Sequence, residues 1–281
     1  MPAFPALHDI GLADTRNALH AYSRVMGGWL TSCRSPRKHW WQGSLRPSLR
    51  GLTTGVVHAG PGFELELNLI DSQLHVRTAR GDELVEALGE QPAVELGQRI
   101  QRFLAAHGID DRFVPEDASQ SGNTVEITGY SRECAQRVAQ AWSSVTSTLE
   151  EFRAGIREET SPIQLWPHHF DIAMTWLPGA KVAGQDADNL EHAEYADRQM
   201  AFGFTLGDET IAEPYFYVSA YPLPEAFPTL PLPAGSVWHT TGFHAAVLRY
   251  RFLSDSRDPR GYLLDLWRGL LSAGRVHLTT S

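Results

Sequence analysis

Between Phe63 and Leu69 the chain reads FELELNL, four large apolar residues alternating with Glu64, Glu66 and Asn68. Side chains along a β-strand point to opposite faces in turn, so this period of two describes a strand with one face in a core and one in water. A sheet that keeps one face wet is an antiparallel habit, because purely parallel sheets are covered on both sides. A turn at Asp71-Ser72 and the alternating LHVRT after it extend the strand into a hairpin.

Helices surround this hairpin. Leu12, Leu19, Tyr22, Met26 and Trp29 recur at helical spacing and predict one amphipathic helix over 12–31, weakened near its end by Gly27-Gly28. A second helix runs from Pro92 to His107, with proline suited to the first turn and Gly108 to the stop. The polar stretch 110–123 reads as a loop and as the boundary between two parts, 1–120 and 121–281. The second part opens with an apolar stripe of Cys134, Val138, Trp142, Val145, Leu149, Phe152 and Ile156, spaced by threes and fours. Extended segments are expected at 45–57, 162–177, 213–221 and 237–252, and an acidic helix over 188–200. A proline-rich connection separates the last two strands, and a final helix starts at an Asp258 N-cap with Pro259 behind it and stops at Gly274. The fold class is therefore α+β, with mixed or mainly antiparallel sheets and packed helices. The shared order of long helix, extended segment and hairpin suggests two similar halves sharing one core.

Composition narrows the function classes. With 24 basic against 33 acidic residues the formal charge is −9, which argues against nucleic acid and anionic membranes as partners. The basic island from Arg34 to Arg50 reads as a solvated loop or a local anion site. Two cysteines, Cys33 and Cys134, are too few for a disulfide framework or a thiolate zinc site. No stretch has the length and apolarity of a membrane span, and the N-terminus lacks the charge-then-apolar order of a signal peptide, so the expected compartment is the cytoplasm. There is no GxGxxG after a strand, no P-loop lysine, no GxSxG and no HExxH.

The chemistry-bearing stretch is WPHHFDIAMTW, residues 166–176. If Phe170, Ile172, Met174 and Trp176 of one strand face a core, His168 points inward with them, while His169 and Asp171 share the opposite face. Such a pair suits a general base with its orienting acid, or two ligands of a metal ion. His239 is the candidate third ligand, making His169, Asp171 and His239 the metal set and a divalent metal the cofactor it leaves open. Glu213 supplies charge and Tyr217 an orienting hydroxyl. The reading this supports is an enzyme acting on a small polar molecule through His168, His169, Asp171, Glu213 and Tyr217. The alternatives are a small-molecule-binding or structural protein in which these residues satisfy one another, and, further off, a non-haem iron oxygenase.

The blocks KHWWQGSLRPSLRGLTT, FELELNLID, TSPIQLWPHHFDIAMTWLPG, FGFTLGD, EPYFYVSAYPLP and SVWHTTGFHAAVL, in that order, resemble a bacterial family catalogued as domain of unknown function 5996. The resemblance runs from about Trp29 to about Val276 and implies one family-wide unit rather than a fusion. It implies no activity. It adds His39 and Trp40 to the polar members of the blocks. It also marks a departure after the HHFD segment, where Pro178-Gly179-Ala180-Lys181 stands in place of the family's Ser-Gly-Arg and would move an anion contact to Lys181.

Overall fold

In the computed structural model, residues 4–8, 11–89, 91–109, 127–185, 189 and 193–279 are described. The loop expected over 110–123 lies outside them, as do several residues of the acidic 188–200 segment. Contacts divide the chain into two units. One comprises Leu7–Ser143 and Leu165–Phe170, the other Met1–Ala6, Ser144–Gln164 and Asp171–Ser281.

The first unit is a five-stranded antiparallel meander with helices. Its strands are β1 (Arg46–Pro47), β2 (Gly51–Thr53), β3 (Phe63–Asn68), β4 (Gln73–Thr78) and β5 (Glu83–Ala87), in that spatial order. The FELELN alternation holds: Phe63, Leu65 and Leu67 are buried with Leu74 and Val76 beneath the sheet. On the wet face Arg77 bonds Glu66 and Glu83 at 2.9 Å each, a charge ladder across three strands. Pro47 sits in the edge strand, where a missing N–H costs no ladder bond. Helix α1 (Leu12–Cys33) packs on α2 (Ala93–Ala106) and on β3. Its Tyr22 is fully buried, and its hydroxyl donates to the Gln91 carbonyl while accepting from the Gly89 N–H. That satisfies the one polar atom such a burial brings inside.

Helix α3 (Arg132–Ala154) carries the expected stripe and leads from the first unit into the second. The second unit is built on a seven-stranded sheet. Its path runs β11 (Ser236–His239), β12 (Ala245–Arg249), β10 (Tyr215–Tyr221), β9 (Gln199–Thr205), β8 (Asp171–Leu177) and β6 (Glu159–Thr160), with β7 (Gln164–Trp166) as the seventh strand. The pairings along the path are antiparallel. Register gives the faces opposite characters. Ile172, Met174, Trp176, Met200, Phe202, Phe204, Phe216 and Val218 share one face and are buried. There Phe202 meets Phe152 of α3 and Phe216 meets Trp267 of α5 (Pro259–Leu278), with ring centroids 4.8 and 6.3 Å apart. The other face is small and polar: Asp171, Ala173, Thr175, Ala201, Gly203, Thr205, Tyr215, Tyr217 and Ser219. The protein is thus α+β with two antiparallel sheets.

Four expectations are corrected. The HHF segment is not strand; residues 167–170 form a turn, and β8 begins only at Asp171, so the same-face argument for His169 and Asp171 fails. Among the described residues the acidic segment holds one short 3-10 turn, Ala193–Tyr195, before β9 starts at Gln199. The sequence reading missed β9 because Ala201 and Gly203 dilute its alternation. The stretch 237–252 is a hairpin, β11 and β12, followed by a short helix α4 (Tyr250–Ser254), because the segment around Gly242 turns the chain. Finally, α5 does not stop at Gly274 but runs to Leu278. A Cβ at 274 would lie 2.2 Å from Met200 Sδ, so this glycine permits close helix–sheet packing rather than ending a helix.

Arg275 of α5 forks onto Glu158 at 2.6 and 2.8 Å, and this bond above all holds the Glu158 carboxyl down at about 2. A carboxylate depressed from 4.5 contributes stability that is present above pH 4.5 and lost as pH falls towards 2. Both side chains are partly solvated, so Arg275→Ala should cost only ~0.5–1 kcal/mol at neutral pH. In urea unfolding, the gap between wild type and variant should close as the pH is lowered through that window.

Candidate functional site

The polar face of the seven-stranded sheet carries two of the expected residues in direct contact. Tyr217 on β10 donates its hydroxyl proton to Asp171 Oδ2 on β8, two strands away. The strand between them makes this geometry available. Tyr217 lies opposite Gly203 of β9, and a Cβ on Gly203 would stand 2.4 Å from Tyr217 Cζ. The phenol therefore lies across bare backbone to reach a diagonally placed carboxylate. Burial, and next the Asp171 charge, push the Tyr217 pKa well above its ordinary 10, so the phenol stays a neutral donor. Asp171 is itself 7% exposed, on a floor with Thr175, Thr205 and Ala173.

Tyr215, one step along the same face, repeats the theme with a different acid. Its hydroxyl donates to Asp208 Oδ2, while Asp208 Oδ1 accepts the backbone N–H groups of Thr210 and Ile211 at 2.7 and 2.8 Å. Burial and the Asp208 bond raise the Tyr215 pKa well above the phenol norm. Gly207, at φ 101°, makes the tight turn that places Asp208; a Cβ there would meet the Ala212 carbonyl oxygen at 2.6 Å. Ile211, Ala245, Val247 and Phe243 pack around Tyr215 and close this end of the face.

The remaining expected residues are placed elsewhere. Glu213 forms a partly exposed ion pair with Arg249 at 3.6 Å. His239 turns its Nε2 to the Thr241 carbonyl at 2.7 Å and its ring to Phe243 at 4.4 Å. It sits on β11, four strands along the sheet from Asp171, or about 19 Å at ~4.8 Å per strand. His239 and Asp171 are therefore not brought together as ligands of one ion. Among the described residues no group of three His, Cys, Asp or Glu is arranged to hold a metal. Lys181, the position of an expected anion contact, is bonded to Asp197 instead.

His168 and His169 lie in the first unit, on the turn 167–170. The turn closes with the N–H groups of His169 and Phe170 donating to the Trp166 carbonyl at 3.2 and 2.7 Å. Phe170 adopts φ 55°, a rare conformation for a bulky residue. Its buried ring stacks on His20 of α1 at 4.9 Å and meets Trp142 edge-on at 5.7 Å, contacts that offset the backbone strain. Pro167 fits beneath α1 because position 27 is glycine; a Cβ there would be 2.8 Å from Pro167 Cγ. His39 is buried, and its carbonyl accepts the Trp166 indole N–H at 3.4 Å.

Around this turn α1 presents Arg16, His20 and Arg24, four residues apart and so on one helix face. His20 Nε2 lies 2.8 Å from the Pro167 carbonyl and 3.2 Å from Arg24 Nε. One nitrogen cannot donate to the first and accept from the second; the shorter contact makes it the donor to Pro167. Burial first, then Arg24, drives the His20 pKa down to about 4, against the pull of the Pro167 bond. His168 is also pushed down to about 4, by burial and then by His169, Arg24 and His20. Its ring still meets solvent, which screens part of the burial effect but leaves its cationic neighbours in place. The rings of His168 and His169 are 4.3 Å apart.

Sequence reasoning named Asp171, Tyr217 and the two histidines but not Gly203, Asp208, His20 or Arg24. A glycine amid large residues in FGFT was the available signal for the first. The α1 residues gave none, since a polar helix face ordinarily means solvent.

Residues 4–275 match the family described as a family of unknown function, DUF5996, and the chain belongs to that family. No curated protein and no solved structure matches it. None of its described helices is long and apolar enough to cross a membrane.

Two measurements check this geometry. Gly203→Ala should cost ~1–3 kcal/mol by overpacking against Tyr217. Combined with Tyr217→Phe it should cost clearly less than the two singles summed, because both break the same bond. In histidine Cε1–H NMR titrations, His20 and His168 should protonate near 4. An imidazole depressed from 6.5 favours the unfolded state as protons bind, so stability should fall as pH drops from 6.5 towards 4.

Proposed function

We propose that the protein acts on a small polar molecule at the polar face of the seven-stranded sheet, with Asp171 accepting a substrate O–H or N–H and Tyr217 orienting that carboxylate. The observation that carries this reading is the reach of Tyr217 across Gly203. A sheet face built for packing alone carries β-branched and aromatic side chains, and a mid-strand glycine weakens a sheet. This face instead keeps Ala173, Ala201 and Gly203 small and mounts a carboxylate with a neutral hydroxyl donor beside it. A carboxylate so oriented is equipped to hold a donor or to serve as a general base. Tyr217, with its pKa far above neutrality, gives a hydrogen bond rather than a charge.

The depth of Asp171, 7% exposed, favours a second reading in which the Tyr217 bond only locks β8, β9 and β10 together. The two separate in a thermal-shift screen of amino acids, hydroxy acids and sugars against wild type, Asp171→Asn and Tyr217→Phe. A ligand at one hundred times its Kd adds ~2.7 kcal/mol, enough to move the melting temperature measurably. The expected result is one chemical class that raises wild type, fails on Asp171→Asn and acts weakly on Tyr217→Phe. Two variants that are merely less stable, with no compound distinguishing them from wild type, would leave the lock as the whole role.

A further inference from the structure

The corner formed by α1 and the 167–170 turn concentrates basic groups in a chain of net charge −9. Arg16, His20 and Arg24 come from one helix face, and His168 and His169 from the turn whose Pro167 carbonyl bonds His20. The charged neighbours acting on His20 are Arg24, Arg16 and His169, and those on His168 are His169, Arg24 and His20. All of them are basic, so within the corner each raises the cost of charging the next. The arrangement is built rather than incidental. It rests on a left-handed Phe170, a ring stack of 4.9 Å and a helix glycine that admits Pro167.

We propose that this corner is an anion site, at which Arg24, His168 and His169, backed by His20, take the phosphate or carboxylate group of a small molecule. The two turn histidines have solvent-facing rings 4.3 Å apart, on the side from which a ligand approaches. Arg24 is half-buried beside them and carries the planar fork of donors that matches either anion. An anion between these groups turns their mutual repulsion into attraction to a shared partner. Partial burial strengthens that attraction relative to open water. The site belongs to the first unit and uses none of the residues assigned to the sheet face, so each reading can fail without the other.

The test is a titration of the full chain with inorganic phosphate and, separately, acetate, at constant ionic strength held by chloride, read on the histidine Cε1–H resonances. Saturable shifts of His168, His169 and His20, with their protonation midpoints moving up from about 4 for His20 and His168, are expected with at least one of the two anions. Which anion acts identifies the class of group bound. Arg24→Gln should weaken binding at least tenfold, the equivalent of ~1.4 kcal/mol. His169→Asn, at an exposed position, supplies the same reading if Arg24→Gln does not fold. Asp171→Asn should bind as wild type does. The proposal is overturned if neither anion gives saturable shifts at millimolar concentration, or if the folded variants bind as wild type.

Discussion

A phenol on β10 reaches a carboxylate on β8 only because no side chain stands on β9 between them. That single bond depends on the register of three strands, with Tyr217 opposite Gly203 and Asp171 opposite Thr205. A slip of one residue in β9 would exchange its faces, putting Phe202 or Phe204 under the phenol and Gly203 into the aromatic core. The core holds the register from below: Phe202 and Phe204 have no other place to go than against Phe152, Phe216 and Tyr250. The polar face is therefore specified by the apolar one, and the candidate chemistry inherits its precision from aromatic packing.

Glycines perform related work at three places. Gly203 makes room for a phenol, Gly274 lets α5 close on Met200, and Gly27 lets α1 close on Pro167. In each case a residue that weakens its own helix or strand allows a large neighbour to approach the backbone. The third of these matters most for the basic corner. It brings the turn against α1, so His20 meets the Pro167 carbonyl and the Phe170 ring at once. The strain at Phe170 and the crowding of basic groups are local costs borne by that packing.

Acids are used in two distinct ways on the sheet face. Asp208 is consumed by its own loop, with Oδ1 accepting two backbone N–H groups and Oδ2 the Tyr215 hydroxyl. Asp171 starts a strand and is met by a side chain from across the sheet. The first arrangement is how a carboxylate builds a turn. The second holds a carboxylate in place while its surroundings stay small, and it is there that a ligand reading gains support.

Local periodicity was enough for the elements whose signal is contained in a few consecutive residues. The β3–β4 hairpin, α1, α2 and α3 follow from alternation or from apolar stripes, and the start of α5 from Asp258, whose side chain accepts the Gly261 N–H at 2.9 Å. Membership in the family was legible for the same reason, since its blocks are strings. Asp171, Tyr217 and the histidine pair were also visible as residues, but their relations were not. Whether HHF continues a strand depends on a left-handed Phe170 that only the His20 and Trp142 rings make tolerable. Whether Tyr217 meets Asp171 depends on which residue of β9 lies between them. Sequence by itself determined where the chain is helical or extended and which faces are apolar, because those are properties of neighbours along the chain. Tertiary structure alone decided which polar groups meet, because strand register and helix approach are set by packing between segments far apart in sequence.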